Sequence, residues 1–312
     1  MKACDKITSI VILQDDACND SKEPFKSYAS DLPDVKVVKA SLSDESMDVS
    51  DLQSILGDAK FDYVWDNASK GSTGSGKAIL DYAKKCDVNL FTYVSSAGIY
   101  QPDSSTTFPM AETTPIKESA GQAKFDAYAV GLGLPYVSFR PQYIYGPKSN
   151  KHDYIDWYFD RIVRGVPLPI PGDGTQKVSL TNSEDVAALL ASPLNNEAAA
   201  VEQRYFNCGS EILYSYDEVA FMCAAAAGVS KEDVNIVHYD GDKFGKANFP
   251  FRLTNFYVAP DMAIEKLNFG GAAHDLKDDL GWYFKNYEAR GGPSKDLSLE
   301  KDQEITSVGS TS

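Results

Sequence analysis

The sequence predicts an α/β fold, in which a parallel sheet is flanked by helices and a smaller lobe follows. Three observations support this prediction. Short apolar runs typical of strands alternate with amphipathic segments typical of helices over the first 140 or so residues. The pattern changes after Pro147. The chain of 312 residues is long enough for one large domain with an added lobe, and its 43% of hydrophobic residues can supply a core.

The first half contains the elements of the sheet. Strands are predicted at residues 7–13, 35–39, 61–66, 90–94 and 135–140, and helices at residues 49–57, 77–86 and 119–132. Strands that alternate with helices at this spacing indicate a parallel sheet covered on both faces. We assign residues 1–147 to this domain.

The second half supplies the smaller lobe. Residues 153–164 (DYIDWYFDRIVR) predict an amphipathic, aromatic-rich helix, and the following GVPLPIPGDG segment predicts a proline-punctuated loop. We expect strands near residues 178–180 and 204–208 to return to the sheet. The lobe is assigned to residues 148–290, and the polar residues 291–312 predict a flexible tail.

Composition excludes several classes of protein. A formal net charge of −15 disfavours a broad nucleic-acid or anionic-membrane surface, although it permits a local basic patch. No apolar run approaches the roughly 20 residues that a membrane-spanning helix needs. The cysteines form no CxxC pair and the histidines lie far apart, so we expect reduced thiols and no metal site. These residues are Cys4, Cys18, Cys86, Cys208, Cys223, His152, His238 and His274.

A glycine-rich segment, Gly71 to Lys77 (GSTGSGK), has the spacing of a nucleotide-binding P-loop between a predicted strand and a helix. In a working P-loop the lysine is followed by a Ser or Thr whose hydroxyl binds Mg²⁺. Here Lys77 is followed by Ala78, which has no hydroxyl. The segment also follows the third predicted strand rather than the first. We therefore expect no nucleotide triphosphate site at this loop.

Four segments in order resemble the extended short-chain dehydrogenase/reductase superfamily, in its epimerase/dehydratase branch. They are FTYVSSAGIY (91–100), FRPQYIYGP (139–147), IPGDGTQKVSLTNSEDVAAL (170–189) and FNCGSEILYSYDEVA (206–220). The resemblance implies a Rossmann-like parallel sheet, with Asn67, Ser95 and Pro141 as vestigial cofactor contacts.

The superfamily's first strand and glycine turn are missing, since no glycine precedes Gly57. That turn gives the pyrophosphate of a dinucleotide its close backbone approach. We therefore expect an N-terminally shortened chain that binds no cofactor; NAD(P) would be expected only with an upstream glycine loop.

The catalytic set is also incomplete. Family enzymes use a Ser or Thr with a Tyr and a Lys in Tyr-x-x-x-Lys spacing, where the tyrosine exchanges a proton with the substrate. Ser96 and Lys124 match two of these positions, but Ala120 stands at the tyrosine position and Tyr128 lies on the wrong side of the lysine. We therefore expect Ser96 and Lys124 to be vestigial.

A more specific similarity is to the chloroplast stem-loop-binding proteins, atypical superfamily members that lack the same tyrosine. It rests on WYFDRIVRGVPLPIPGDGTQ (157–176), MCAAAAGVSKEDVNIVHYD (222–240) and FPFRLTNFYVAPDMA (249–263). The resemblance implies a plastid stromal protein that binds stem-loop, messenger or ribosomal RNA and acts in transcript stability, with or without endoribonuclease action. It also allows a homo- or hetero-oligomer and a ribosome or plastid ribonucleoprotein as partners.

The residues themselves support RNA contact locally. Lys148, Lys151, Trp157, Arg161 and Arg164 combine cations for phosphate with an aromatic ring for stacking. The alternative is an ordinary amphipathic helix with core aromatics and solvated arginines. A second basic group (Lys243, Lys246 and Arg252) is equally ambiguous. Two rival functions stay open, a sugar-nucleotide epimerase or dehydratase and a lapsed structural or assembly protein.

Overall fold

The computed structural model describes residues 6–309. The strands of this part of the chain are β1 (Val11–Asp15), β2 (Lys36–Ala40), β3 (Tyr63–Asp66), β4 (Leu90–Val94), β5 (Tyr136–Pro141), β6 (Ile144–Tyr145), β7 (Leu168–Pro171), β8 (Lys177–Val178), β9 (Thr181–Asn182), β10 (Tyr205–Cys208), β11 (Tyr214–Ser215) and β12 (Ile236–Tyr239). The helices are α1 (Tyr28–Asp31), α2 (Val49–Leu56), α3 (Gly74–Cys86), α4 (Gly121–Gly131), α5 (Asp153–Ile162), α6 (Ser183–Ala191), α7 (Glu197–Gln203), α8 (Tyr216–Ala226), α9 (Gly241–Phe244), α10 (Asp261–Leu267), α11 (Leu276–Ala289) and α12 (Glu300–Gly309).

The central sheet has four parallel strands in the order β10-β5-β4-β3. Its middle strands β4 and β5 are almost fully buried, because helices cover both of their faces. One cluster packs the sheet against α3 and α4, and another packs it against α6, α7 and α10. The predicted α/β class with a parallel sheet is confirmed.

The strands β1 and β2 form a separate parallel pair. Within the described residues neither strand bonds to β3, so the parallel strands are divided into a pair and a group of four. The pair is attached through a cluster in which Leu13 and Ala40 meet side chains of α2 and α3.

The smaller lobe has its own core, built from α5, α8 and α11 together with β7 and β8. The predicted strand near 204–208 joins the sheet as β10. The strand near 178–180 does not, because Lys177–Val178 (β8) pairs with β11 instead. The predicted return to the sheet is therefore right for one strand and wrong for the other.

The proline-rich segment predicted as a loop contains the strand β7, which pairs with β12. In a parallel pairing alternate amides face the partner, and here Leu168 and Gly172 donate to Asn235 and Tyr239 at 2.8 and 2.9 Å. Pro169 and Pro171 therefore occupy positions that have no ladder bond to donate.

The expected flexible tail is ordered up to residue 309. Residues 300–309 form α12, which packs on β7 and β12 with Ile305 fully buried. A buried ion pair described below anchors this polar helix. None of the described helices is both long and apolar enough to cross a membrane.

Candidate functional site

A cleft of about 970 Å³ opens between the carboxyl ends of the central strands and the smaller lobe. Parallel strands place the residues that follow them at one edge of the sheet, where α/β proteins bind their ligands. Asn67 follows β3, Ser95 and Ser96 follow β4, and Pro141 ends β5. All four line the cleft, so the structure brings these sequence-predicted residues together.

The two serines of the cleft differ in their bonding. Ser96 accepts a hydrogen bond from the Gly98 amide at 3.0 Å and caps a short 3-10 helix (Ala97–Ile99). The buried Ser95 hydroxyl has no hydrogen-bond partner within residues 6–309. Ser95 therefore offers a polar group to a ligand, whereas Ser96 already has a structural role.

The predicted catalytic set is not assembled at the cleft. Ala120 is the residue immediately before α4, and its methyl group carries no exchangeable proton. Lys124 lies on an exposed position of α4, and neither residue lines the cleft. The proton relay of the epimerases cannot operate through these residues.

The glycine-rich loop before α3 packs tightly against the start of α4. A Cβ atom at Gly121 would lie 1.9 Å from the Lys70 carbonyl oxygen, and one at Gly76 would lie 2.2 Å from the Gly71 carbonyl oxygen. The side chain of Lys77 bonds to Asp81 at 2.5 Å on its own helix. The glycines thus permit a close backbone contact between this loop and the start of α4.

A dinucleotide needs a glycine turn for its pyrophosphate. In the described part of the chain, β1 ends at Asp15 and is followed by Asp16, and these two carboxylates would repel a phosphate. Since the glycines near Gly71 are committed to packing, the described residues do not fit the pyrophosphate of a cofactor.

The residues predicted on α5 lie inside the lobe. Trp157 is 7% exposed and Arg161 is 2% exposed. Arg161 pairs with Asp302 of α12 at 2.7 Å and lies 3.9 Å from the centre of the Trp157 ring. Both residues line the cleft. The prediction that they contact RNA is nevertheless corrected, because their exposed surface is too small to stack on a base or pair with a phosphate.

Arg164 is likewise engaged within the protein. Its guanidinium donates to the carbonyl oxygens of Gly292, Pro293 and Lys295 at 2.6–3.1 Å. This arginine fixes the chain that leads to α12, and it does not line the cleft. Its prediction as an RNA contact is corrected because its guanidinium already donates to these carbonyl groups.

The two lysines before α5 remain at the surface and line the cleft. Lys148 is paired with Asp31 at 2.9 Å and Glu23 at 3.4 Å. Lys151 lies 4.6 Å from the centre of the Tyr154 ring and forms no salt bridge with a described carboxylate. Lys151 is therefore the freer of the two cations.

The second basic group predicted from sequence meets Lys151 at the same cleft. Lys246 and Arg252 line it, and burial together with the charges of Arg252 and Lys151 lowers the pKa of Lys246. Lys246 donates to the Pro250 carbonyl and Arg252 to the Gly98 carbonyl, but neither has an acidic partner within residues 6–309. We call Lys151, Lys246 and Arg252 the cation cluster.

Aromatic rings border the cation cluster. Arg252 lies 4.2 Å from the centre of the Phe256 ring, and Tyr143 contacts both Tyr154 and Phe251 at 5.0 and 4.9 Å between ring centres. Tyr154 is only partly buried and can present a face to a ligand. The signal for this surface was present in the sequence only as separated basic and aromatic residues.

Three acidic residues, Asp153, Asp156 and Asp160, also line the cleft, and none of them forms an ion pair with the cation cluster. Asp156 is held by Arg290 at 2.9 Å, and Asp160 lies near Arg164 and Lys295 at 3.7 and 3.4 Å. The cation cluster therefore gives the cleft mouth a local positive charge on a protein whose net charge is −15.

Comparison with known proteins defines the class first. Residues 34–209 match the NAD dependent epimerase/dehydratase family, and the chain belongs to it. Solved structures agree on the fold: dTDP-glucose 4,6-dehydratase of Bacillus anthracis, in complex with NAD, superimposes with a TM-score of 0.67 at 18% identity over 89% of both chains. UDP-glucose 4-epimerase of Thermotoga maritima gives 0.65 at 17% identity over 90% of this chain and 91% of its own.

A more particular similarity comes from the sequence. The chain is 29% identical over 301 residues to the chloroplast stem-loop binding protein of 41 kDa b of Arabidopsis thaliana, covering 92% of this chain and 73% of the relative. A trifunctional UDP-glucose 4,6-dehydratase/epimerase/reductase of the same plant is 27% identical, over 52% of this chain and 23% of the relative. The predicted resemblance to the chloroplast stem-loop-binding proteins is confirmed.

Proposed function

We propose that this protein binds RNA at the mouth of the cleft, as the name of its stem-loop-binding relative suggests, and that it does so in the plastid stroma. The observation that carries the proposal is the cation cluster. Lys151 is about 100 residues from Lys246 and Arg252 in sequence, yet the fold brings the three charges to one cleft, and none of them forms an ion pair with a described carboxylate. Like charges held in one cleft repel one another, and a bound anion stabilises them.

The neighbouring rings suit RNA better than a small inorganic anion. Phosphates of a nucleic acid pair with lysine and arginine, while unpaired bases stack on aromatic faces. Tyr154 lies beside Lys151 and is partly exposed, so one surface offers both interactions. The small size of this surface and the overall negative charge predict binding of a short segment of RNA rather than of a long duplex.

The test compares two double variants that remove the same charge. Lys151→Ala with Lys246→Ala should weaken binding of a stem-loop RNA roughly tenfold at moderate salt, because two phosphate contacts are lost. The slope of log affinity against log salt should fall by about 1.4, at roughly 0.7 for each contact on a single strand. Lys84→Ala with Lys85→Ala, on exposed positions of α3, is the matched control and should change neither quantity.

Filter binding over a salt series measures both quantities, with circular dichroism to show that each variant is folded. Equal losses in the two variants would mean that only the net charge matters. Unchanged RNA affinity in the variant Lys151→Ala with Lys246→Ala would mean that RNA binds elsewhere, and it would contradict the proposal.

A sugar-nucleotide epimerase or dehydratase is the second candidate, because Asn67, Ser95 and Ser96 still line the cleft. Ala120 argues against it, since a methyl group cannot exchange a proton with the substrate. We expect no interconversion of NAD and NADH with UDP-glucose or dTDP-glucose, as followed by absorbance of the reduced nicotinamide. Turnover that exceeds a no-protein control would favour this candidate over RNA binding.

A further inference from the structure

An acidic segment lies at the rim of the cleft. Residues 16–34 connect β1 to β2, and we call them the strap. The strap carries five acidic and two basic residues, a net charge of −3. Pro24 of the strap lines the same cleft as the cation cluster.

The strap has little hydrophobic anchorage. No residue from 15 to 39 is buried, and none from 16 to 34 belongs to a hydrophobic cluster of the described chain. Its rings Phe25 and Tyr28 pack on each other, with 5.7 Å between ring centres. A segment with so few buried contacts opens at a low free-energy cost.

One side chain ties the strap to the lobe side of the cleft. Lys148 contacts Asp31 at 2.9 Å, Ser27 at 2.6 Å and Glu23 at 3.4 Å, across at least 117 residues of sequence. The Asp31 contact raises the pKa of Lys148. We call this group of contacts the latch.

We infer that the strap is an autoinhibitory cover. Its carboxylates pair with Lys148, a cation at the cleft rim that an RNA phosphate would otherwise contact. This inference rests on the proposed function. Lys148 lines the same cleft as Lys151 and Lys246, but it alone of these three has acidic partners among residues 6–309. RNA that reaches Lys148 must displace Asp31 and Glu23.

The exchange is energetically feasible because the latch is exposed. The side chains of Lys148, Glu23 and Asp31 are about half exposed, at 49%, 45% and 50%. Ion pairs of this kind are weak and screened by salt. By linkage, RNA that favours the open strap must itself bind more tightly when the latch is removed.

The experiment measures RNA affinity and strap accessibility on the same full-length variants. Glu23→Gln with Asp31→Asn should raise affinity for a stem-loop RNA roughly fivefold and speed tryptic cleavage at Lys22 and Lys26 several-fold. Asp31→Asn alone should give part of both effects. Asp16→Asn is the matched control for Asp31→Asn, because each removes one negative charge from the strap and Asp16 forms no ion pair with Lys148.

Lys148→Ala separates the two roles of the lysine. It should speed strap cleavage as much as Glu23→Gln with Asp31→Asn, which we call the latch variant. It should not raise RNA affinity, because the cation for which the strap and RNA compete is gone. Added RNA should also speed cleavage of the wild-type strap.

Each outcome decides a different claim. Unchanged cleavage in the latch variant would show that the latch does not hold the strap. Faster cleavage with unchanged RNA affinity would refute autoinhibition while leaving RNA binding intact. Absence of RNA binding in the wild type and in every latch variant would overturn the proposed function and this inference together, whereas binding that appears only in the latch variant would support both.

Discussion

Replacing Asp302 with alanine is expected to lower the free energy of unfolding by about 3–5 kcal/mol. The reason is that Arg161 would lose its acidic partner in a buried position. Asp302 Oδ2 accepts a hydrogen bond from Arg161 Nε at 2.7 Å and lies 2.7 Å from Arg161 Nη2, and the side chains of Asp302 and Arg161 are 7% and 2% exposed. Burial raises the pKa of Asp302 and lowers that of Arg161, so each charge depends on the other.

Urea denaturation followed by circular dichroism measures this effect. Lys301→Ala is the control on the same helix, because Lys301 pairs with Glu304 at the surface and such pairs contribute at most about 1 kcal/mol. Arg161→Met combined with Asp302→Leu should recover much of the lost stability, since no charge is then left buried. If Asp302→Ala lowers the free energy of unfolding no more than Lys301→Ala does, the pair of Arg161 and Asp302 does not anchor α12.

Gly121→Ala is expected to destabilise the protein by about 1–3 kcal/mol. Its Cβ atom would lie 1.9 Å from the Lys70 carbonyl oxygen, so the glycine-rich loop or α4 would have to move. The contact involves backbone rather than a flexible side chain, and it cannot be relieved by a rotamer change.

Gly131→Ala at the other end of α4 provides a control of opposite sign. A Cβ atom there meets nothing within 4 Å, and alanine stabilises a helix relative to glycine by up to about 1 kcal/mol. Thermal and urea unfolding should therefore show that Gly131→Ala is more stable than the wild type and that Gly121→Ala is less stable. The same sign for both substitutions would contradict the packing role of Gly121.

The central strands could be predicted because their signal is local. The run from Leu90 to Val94 is mostly apolar, as expected for a strand buried on both faces, and its predicted bounds match β4. Helix α2 also begins where predicted, at Val49, with Asp48 as a capping residue. In both cases neighbouring residues determine the element.

Helix α12 could not be predicted from its own residues. Its sequence is polar, and what fixes it is the pairing of Asp302 with an arginine 141 residues earlier. The same long-range dependence explains why Arg161 was assigned to the surface: an arginine in an amphipathic helix is usually solvated unless a distant segment supplies its partner.

The candidate site shows this limit most clearly. Lys151 and Lys246 were assigned to separate basic groups, and only the folded chain brings them together with Arg252. The four sheet-edge residues were assigned from the family resemblance, and the fold brings them together because strand ends in a parallel sheet converge by geometry. Charges carried by loops have no such rule.

The division of the parallel strands has a consequence for the dynamics of the protein. Within the described residues, β1 and β2 exchange ladder bonds only with each other, and their attachment to α2 and α3 is mostly through partly buried side chains. This subdomain can therefore melt locally while the four-stranded sheet stays folded. Amide protons of β1 and β2 would then exchange with solvent through subglobal opening, and those of β4 and β5 only through global unfolding. The strap, which joins β1 to β2, is thus tethered at both ends to this separately paired part of the fold.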